Sequence, residues 1–469
     1  MPSQRLLIKN GTVAYSNNIQ KTDILILDDK ISKMGRDLSE EADKIIDATD
    51  KLVLPGGVDS HCHIEQKSAS GLINSDTFHS ATSAAALGGN TTVIPFAAQY
   101  AGDSLIEVVN NYHGLANRGS IVDYSMHMII AGPSDDVITR ELPKLILEGH
   151  SSIKIFMTYD RLKIDDTNIL KILNQARMSG AMVSVHAENH EMITNKVKEL
   201  IEGGFDSPKY HTDSHPVEGE VDAFRRIIKM SDETKQPVMI FHVSSEQGLK
   251  EIKAGKKRGV KFFAETCTQY LTLNSHLLDQ EKINDGAKWI CSPPIRSPSD
   301  SKALWIGLED NTLDLVTSDH APYSFDSNGK FFKGDNPNFK EIPNGMPGLQ
   351  WRLPILLDKV INKNCDLDIL DFVRITSTMP AKVYGLYPSK GEIKIGSDAD
   401  ITIWDTKLNI TLSDNMVVDG SKYNPYSGMN ICCWPNEVIL RGNTIVKDNL
   451  IKSKPGSGKF LSTKLSEYI

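Results

Sequence analysis

Two histidines separated by one residue follow a β-rich run, in the segment LVLPGGVDSHCH that ends at His63. On a strand, side chains two residues apart point to the same face, so His61 and His63 can reach one metal ion while Cys62 points away. An HxH pair by itself is also compatible with two core residues or with chance. The pair is therefore a candidate metal site that needs further ligands.

Other polar side chains stand within or at the ends of further predicted strands. They are Lys154 in SSIKIFM, His186 in MVSVHAEN, His242 in PVMIFHVSS and Asp319 in LDLVTSDHAP. Each histidine, taken alone, is compatible with an ordinary core or surface position. Four histidines and one aspartate at predicted strand ends are much harder to assign to chance, and together they indicate a metal centre.

Lys154 is unusual because its neighbours Ile153, Ile155 and Phe156 are apolar. Lysine is seldom fully buried without a partner. The side chain could extend outward to solvent, or it could pair with a nearby acid. Alternatively, its amine could have reacted with carbon dioxide, because a carbamate removes the positive charge and supplies two anionic oxygens that could bridge two cations.

The middle of the chain, about residues 56–390, alternates short apolar runs with amphipathic segments. Runs such as NTTVIPF, YSMHMII and VKFFAET indicate buried strands, whereas TNILKILNQARMSG and EVDAFRRIIKM indicate helices. With about eight such units, this alternation predicts an α/β fold, a closed (β/α)8 TIM-like barrel. The competing open sheet usually carries a GxGxxG loop, which this sequence lacks. Barrel enzymes place their active sites at the carboxyl ends of the strands, where the candidate ligands lie.

The two ends of the chain share a different sequence pattern, in which short β-rich runs alternate with turns. RLLIKNGTVA and TDILILDDKISKMG occur early, and DADITIWD, NITLSDN and EVILRGNTIVKD occur late. These runs predict one small β-sandwich built from both chain ends. The expected domains are the first sandwich part at 1–55, the barrel at 56–390, the second sandwich part at 391–450 and a C-terminal tail at 451–469.

Composition excludes several function classes. The formal net charge of −8 and the lack of a basic block argue against a nucleic-acid partner. No apolar run is long enough to span a bilayer, and the first residues do not resemble a signal peptide. The six cysteines are dispersed without a CxxC pair, so neither a disulfide framework nor a zinc finger is expected. A reduced cytoplasmic location is the simplest expectation.

The ordered motifs HCH, KIFMTY, HAEN, HVSS and SDHAP resemble those of the hydantoinase and dihydropyrimidinase family of cyclic amidohydrolases, within the amidohydrolase superfamily. The resemblance covers nearly the whole chain, including the divided β-sandwich. It implies two divalent metal ions, for which imidazole and carboxylate ligands favour zinc. It also implies which residues hold them: His61, His63, Lys154 as N6-carboxylysine, His186, His242 and Asp319.

The resemblance implies hydrolysis of a cyclic amide. A hydroxide shared by the two ions would attack a ring carbonyl, with Asp319 as general base and then general acid. Tyr159 would stabilise the developing oxyanion. Ser292 in CSPPIR and Asn344 in IPNGMPG would hold the amide edge of the ring, largely through backbone groups. Without the resemblance, Tyr159 is a loop tyrosine and the other two segments are proline- and glycine-containing turns.

The residues after HxH bear on the substrate. Relatives that resemble dihydroorotase carry an arginine two residues after HxH, whereas this chain has Glu65, which would repel an anionic substituent. The expected substrate is therefore a neutral 5,6-dihydropyrimidine or 5-substituted hydantoin, opened to an N-carbamoyl amino acid. The resemblance implies that two loops shape the pocket for the 5-substituent: residues 64–75, and the stretch from Phe156 to Leu162, which keeps the family's Phe156 and Tyr159. The loop at 64–75 is polar, which leaves the preferred 5-substituent open. Asp59 is one candidate acceptor for the ring of His61, or it could instead only cap the turn.

Two alternatives remain: an allantoinase, whose metal site would look the same, and a non-enzymatic dihydropyrimidinase-like paralogue, against which the full ligand set argues. The resemblance also implies a homo-oligomer, a tetramer or a dimer.

Overall fold

The computed structural model describes residues 4–15, 17–38, 41–68, 71–464 and 466. Seven strands precede the barrel: β1 Arg5–Lys9, β2 Thr12–Tyr15, β3 Asn18–Lys21, β4 Asp23–Leu27, β5 Lys30–Gly35, β6 Lys44–Asp47 and β7 Leu52–Pro55. Strands β5, β4, β1 and β6 form a four-stranded sheet, whereas β7, β2 and β3 lie at one end of a larger sheet.

The barrel contains the next nine strands: β8 Gly57–Cys62, β9 Asn90–Gln99, β10 Asp123–Tyr124, β11 His127–Ile130, β12 Ser152–Phe156, β13 Met182–His186, β14 Val238–Ile240, β15 Phe263–Cys267 and β16 Leu315–Thr317. All their pairings are parallel, and both β10 and β11 pair with β9. After β16, His320 forms a parallel bridge with Cys62, and its carbonyl accepts from the backbone N–H of His63 at 2.6 Å. These contacts close the ring, so the predicted TIM-like barrel is confirmed.

The helices mostly connect consecutive barrel strands. They are α1 Phe78–Leu87, α2 Leu105–Gly119, α3 Leu142–Leu147, α4 Asp166–Ser179, α5 His190–Glu202, α6 His211–Ser214, α7 Val217–Thr234, α8 Glu246–Lys257, α9 Thr268–Thr272, α10 Pro298–Glu309, α11 Arg352–Ile361, α12 Ile369–Val373 and α13 Met379–Val383. Short π-helical turns occupy Val137–Glu141 and Arg374–Thr378, and 3-10 turns occupy Pro208–Tyr210, Ser275–Leu278, Ile283–Trp289 and Asp414–Met416.

Helix α4 illustrates why the sequence folds in this way. Its buried residues, Ile169, Ile172, Leu173 and Ala176, follow the i, i+3, i+4, i+7 pattern of one helix face, so that face packs inward. Asp165 caps the first turn, and Gly180 ends the helix with a φ of 77°. Helices α4 and α7 coincide with the two segments that the sequence predicted as helical.

Six strands follow the barrel: β17 Ile401–Asp405, β18 Ile410–Thr411, β19 Asn430–Ile431, β20 Trp434–Leu440, β21 Asn443–Lys447 and β22 Leu450–Ile451. Strand β17 lies between β20 and β7, so one seven-stranded sheet contains both chain ends in the order β22-β21-β20-β17-β7-β2-β3. Its apolar side chains share a core with those of the four-stranded sheet, including Ile24, Ile31, Ile401 and Ile439.

The β-sandwich predicted from both chain ends is therefore present, although NITLSDN is not part of it. That segment contains β18, which pairs with β19 in a separate two-stranded sheet. The domain boundaries at 55, 390 and 450 stay predictions, and the first falls between the end of β7 at Pro55 and the start of β8 at Gly57.

The described part of the tail lies against the barrel. The backbone N–H of Leu461 donates to Tyr124 O at 2.7 Å, and that of Thr463 donates to Gly149 O at 2.8 Å. Among the described helices, none combines the length and the apolar character that crossing a membrane requires.

Candidate active site

A cavity of about 720 Å³ opens at the carboxyl edge of the barrel strands. Its walls contain all nine residues that were expected to act as metal ligands, catalytic groups or substrate contacts: His61, His63, Lys154, Tyr159, His186, His242, Ser292, Asp319 and Asn344. Because parallel strands present their carboxyl ends at the same edge, residues far apart in the chain meet there.

The first group of candidate ligands is His61, His63 and Asp319. Strand alternation places the two imidazoles on one face, and Asp319 follows β16, which closes the barrel beside β8. Nε2 of His61 lies 3.1 Å from Asp319 Oδ1, and Nε2 of His63 lies 3.6 Å from the same oxygen. One ligand atom from each residue falls within 4.8 Å of the others, which suits a single metal ion.

The second group is His186, the last residue of β13, and His242, which stands two residues after the neighbouring strand β14. Nδ1 of His186 lies 2.9 Å from Nε2 of His242. Burial lowers the pKa of both imidazoles. Their neutral forms carry the lone pairs that a metal ion requires.

Lys154 lies between these groups, in the middle of β12. Its side chain is buried, and its Nζ has no hydrogen-bond partner among the described residues. Nζ is instead 3.8 Å from the ring centroid of Phe241 and 4.8 Å from that of Phe156. Burial lowers the pKa of Lys154 to about 7. The lysine therefore neither extends to solvent nor forms an ion pair with an acid of the described chain, which excludes the two ordinary interpretations.

Three residues at the site hold left-handed backbone conformations that non-glycine residues rarely adopt. Their φ angles are 74° for Tyr159, 43° for His242 and 45° for Asp319. Such conformations carry an energetic cost and concentrate at functional sites. Here they turn each side chain toward the cavity at the end of its strand.

The residues that orient His61 and His63 were missed from the sequence. Nδ1 of His61 hydrogen-bonds the buried carboxylate of Glu265 on β15, and Nδ1 of His63 hydrogen-bonds the side-chain oxygen of Gln66. These contacts leave Nε2 of each ring facing Asp319 and fix the ring orientation. An acidic residue inside the apolar run VKFFAET was the available signal for Glu265.

Asp59, the candidate named from the sequence, does not contact the ring of His61. Its Oδ1 accepts from the backbone N–H of His61 at 3.1 Å, and its Oδ2 lies 3.0 Å from Nε of the buried Arg352. The prediction that Asp59 orients the ring is wrong.

Glu188 connects the second group of ligands to the opposite wall. Its Oε2 lies 2.7 Å from Nε2 of His186 and accepts from Ser292 Oγ at 2.7 Å. Its other oxygen lies 2.8 Å from Nδ1 of His215. The side chain of Ser292 is therefore engaged with Glu188, which agrees with a substrate contact through the backbone of Ser292.

Tyr159, Ser292 and Asn344 come together although they lie on three separate segments. Burial raises the pKa of Tyr159 above its ordinary range, and the nearby side chains of Ser292 and Asn344 partly offset this rise. Tyr159 therefore keeps its proton at neutral pH and can act as a hydrogen-bond donor. Asn344 Oδ1 is buried and has no hydrogen-bond partner among the described residues.

Glu65 does not face the cavity. Its carboxylate accepts from the backbone N–H of Phe78 at 2.9 Å, at the first turn of α1. The positive φ of Glu65, 47°, accompanies this orientation, and the residue is not part of the cavity wall. The expectation that Glu65 repels an anionic ring substituent is therefore wrong, because its carboxylate points to the start of α1 and away from the cavity.

The two loops expected to shape the substituent pocket do line the cavity. Gln66, Ser68 and Asn74 contribute polar groups, whereas Phe156 and Leu162 contribute apolar ones. Ala69 and Ser70 of the first loop lie outside the described residues.

Comparison with known proteins agrees with this arrangement. The model of the amidohydrolase family matches residues 52–445. A D-hydantoinase of Ralstonia pickettii is 37% identical over 460 residues, which cover 98% of this chain and 99% of that protein. A D-phenylhydantoinase of Escherichia coli O7:K1 is 35% identical over 466 residues, 98% of each chain. The crystal structure of dihydropyrimidinase from Brevibacillus agri NCHU1002 superposes with a TM-score of 0.94 at 33% identity, covering 98% of this chain and 99% of that one. The chain belongs to the hydantoinase family of the amidohydrolase superfamily.

Proposed function

We propose that this protein hydrolyses the ring amide of a neutral 5-substituted hydantoin or 5,6-dihydropyrimidine and releases an N-carbamoyl amino acid. The observation that carries the proposal is the convergence of all six candidate metal ligands on one cavity, facing Tyr159, Ser292 and Asn344. A cavity of about 720 Å³ is large enough for such a ring and its substituent. The hydantoinase and dihydropyrimidinase relatives support the same class of reaction.

The donor set fits two divalent ions, for which zinc is our proposal. One ion would be held by His61, His63 and Asp319, and the other by His186 and His242. Lys154, as N6-carboxylysine, would bridge them. Its buried, unpartnered amine supports this role, because a neutral amine is the form that reacts with carbon dioxide. Two bound ions would supply an activated water at neutral pH and polarise the ring carbonyl.

Side chains of the protein then transfer the proton and stabilise the developing negative charge. Asp319 takes a proton from the attacking water while the water oxygen bonds to the carbonyl carbon. As the ring C–N bond breaks, Asp319 returns that proton to the leaving nitrogen. Tyr159 donates its hydroxyl hydrogen bond to the carbonyl oxygen as negative charge develops. The backbones of Ser292 and Asn344 hold the amide edge of the ring.

Turnover on a substrate panel tests the proposal. The zinc-loaded protein is given dihydrouracil, 5-phenylhydantoin, 5-methylhydantoin, allantoin and dihydroorotate, with loss of ring-amide absorbance as the signal. Opening of dihydrouracil or a hydantoin, abolished in Lys154→Ala, is the expected result. Selective opening of allantoin would favour the allantoinase alternative. The absence of turnover on every ring, with two metals bound, would overturn the proposed substrate class and would show that the substrate is a different compound.

Carboxylation of Lys154 has a readout that does not depend on activity. Protein reconstituted with zinc and ¹³C-bicarbonate is expected to show a carbamate ¹³C resonance that is missing in Lys154→Ala. Equal spectra from the two proteins would contradict the modification.

Two further parts of the proposal concern the whole molecule. We propose a homo-oligomer, a tetramer or a dimer, which light scattering coupled to gel filtration would test. We also propose a cytoplasmic location, with no nucleic-acid or membrane partner.

A further inference from the structure

Lys330 is a fully buried lysine that lies outside the cavity wall. Its Nζ donates to three backbone carbonyls, Ile290 O at 3.0 Å, Pro343 O at 2.8 Å and Gly345 O at 2.7 Å. No ion pair with a carboxylate is found for it in the described part of the chain. Three donors meet three acceptors, so the ammonium is saturated by backbone oxygens alone.

The three carbonyls belong to the two segments that carry the proposed substrate contacts. Ile290 stands two residues before Ser292, and Pro343 and Gly345 flank Asn344. The segments also meet directly, because the backbone N–H of Gly345 donates to Ile290 O at 3.0 Å. From a position outside the cavity wall, Lys330 therefore connects the two backbone segments that carry the proposed substrate contacts.

The local structure holds Lys330 in this position. Its own backbone N–H donates to Ser324 O at 2.8 Å. A Cβ at the preceding Gly329 would lie 2.1 Å from that same oxygen, so only glycine allows this close approach. Burial lowers the pKa of Lys330 to about 7, which shows how strongly the interior disfavours a charge there. A buried lysine whose Nζ is held by three backbone carbonyls, with no acidic partner among the described residues, calls for an explanation beyond packing.

We propose that Lys330 is a positioning residue that sets the spacing of segments 290–292 and 343–345. Through that spacing it determines how tightly the site binds the amide edge of the substrate ring. The inference rests on the proposed function, in which these two segments bind the substrate. Lys330 itself lies outside the cavity wall, and its hydrogen bonds go to backbone carbonyls of Ile290, Pro343 and Gly345, none of which is a proposed metal ligand.

The first test is hydrogen–deuterium exchange on the metal-loaded protein, which needs no substrate. Lys330→Met and Lys330→Gln are compared with Lys390→Gln, which alters another buried lysine whose Nζ contacts Asp123 and Asp400 at 2.7 Å, away from the cavity. Faster exchange in peptides covering 290–292 and 343–345 is expected for the Lys330 variants only. Unchanged exchange there, or the same change in Lys390→Gln, would overturn the proposal.

The second test is steady-state kinetics on the ring that the wild-type protein opens. A misplaced contact costs up to about 10²-fold, so we expect Lys330→Met to raise KM by about tenfold or more while kcat and the metal content change less. Lys330→Gln, which keeps two donors, should fall between Lys330→Met and the wild type. If Lys390→Gln changed kcat and KM as much as Lys330→Met does, the cause would be general destabilisation, and the inference would be overturned. If the wild-type protein opens no ring, the proposed function fails, while the exchange experiment still decides whether Lys330 holds the two segments.

Discussion

Nε2 of His242, two residues after β14, lies 2.9 Å from Nδ1 of His186, at the end of the neighbouring strand β13. His186 approaches His242 through Nδ1, because its Nε2 hydrogen-bonds Glu188, whereas His242 approaches through Nε2. Two neutral imidazoles that converge in this way can bind one cation with both lone pairs.

Replacing His242 by alanine is expected to remove one of two bound ions. Atomic emission analysis of zinc-reconstituted protein should show about two ions per chain in the wild type and about one in the variant, because His61, His63 and Asp319 remain. His190→Ala, which removes a cavity histidine that is not a predicted ligand, is the matched control and should retain both ions. An unchanged metal content in His242→Ala would contradict the assignment.

Glu265→Gln is expected to weaken metal binding without removing a ligand. The amide cannot stabilise the ring of His61 as the carboxylate does, and loss of such an orienting partner typically costs about 10- to 100-fold in metal affinity. Competition with a chromophoric chelator measures the affinity. Glu141→Gln is the control, because that buried carboxylate instead accepts from the backbone N–H of Ile106 at 3.2 Å. Equal affinities in the two variants would rule out the orienting role.

Tyr159→Phe is expected to lower kcat more than it raises KM. The variant keeps the ring but loses the hydroxyl that would stabilise the oxyanion, a loss of about 10²- to 10³-fold for a single donor. Initial rates over a range of hydantoin concentrations separate the two parameters. Tyr124→Phe, whose hydroxyl donates to Asn117 Oδ1 at 2.9 Å away from the cavity wall, should leave both nearly unchanged. A kcat close to that of the wild type in Tyr159→Phe would exclude this role.

Glu65→Gln is expected to change stability and leave the choice of substrate alone. The carboxylate of Glu65 lies at the amino terminus of α1, where negative charge is favourable, so its neutralisation should cost about 1 kcal/mol of unfolding free energy. Thermal unfolding and the ratio of kcat/KM for a hydantoin and for dihydroorotate check the two parts. Were dihydroorotate to become a substrate, Glu65 would have to face the ring after all.

The stability of the protein is expected to fall as pH drops below about 6.5, partly through His211. Burial lowers the pKa of His211 to about 3, and its ring Nε2–H donates to Cys291 O at 2.7 Å. Between a pH of about 6.5, the pKa of histidine in the unfolded chain, and about 3, its pKa in the folded chain, His211 binds a proton only when the chain is unfolded. Unfolding is therefore favoured as pH falls through this interval. In His211→Gln, which keeps a donor but does not titrate, the melting temperature should fall less steeply over this interval. Parallel curves for the two proteins would show that His211 does not contribute.

The sequence was sufficient to predict the architecture and the candidate ligands because both depend on local patterns. Alternating apolar runs and amphipathic segments indicate βα units wherever they occur, and His61, His63, His186, His242 and Asp319 stand at the ends of such runs. A parallel barrel brings the carboxyl ends of its strands to one edge, so the fold class already implied that these residues meet.

Only the tertiary structure decided which groups orient the ligands and which face the ring. Glu265 is 204 residues from His61 in the chain. Its place inside an apolar run marks it as unusual but does not say which ring it contacts, whereas Asp59, two residues from His61, forms an ion pair with Arg352. The direction of Glu65 depends on the backbone turn after His63 and on the start of α1. Lys330 contacts Ile290, 40 residues earlier, through backbone oxygens that carry no sequence signature. Long-range contacts of this kind are set by how the loops pack over the barrel, because any residue can supply a carbonyl and many can supply a carboxylate.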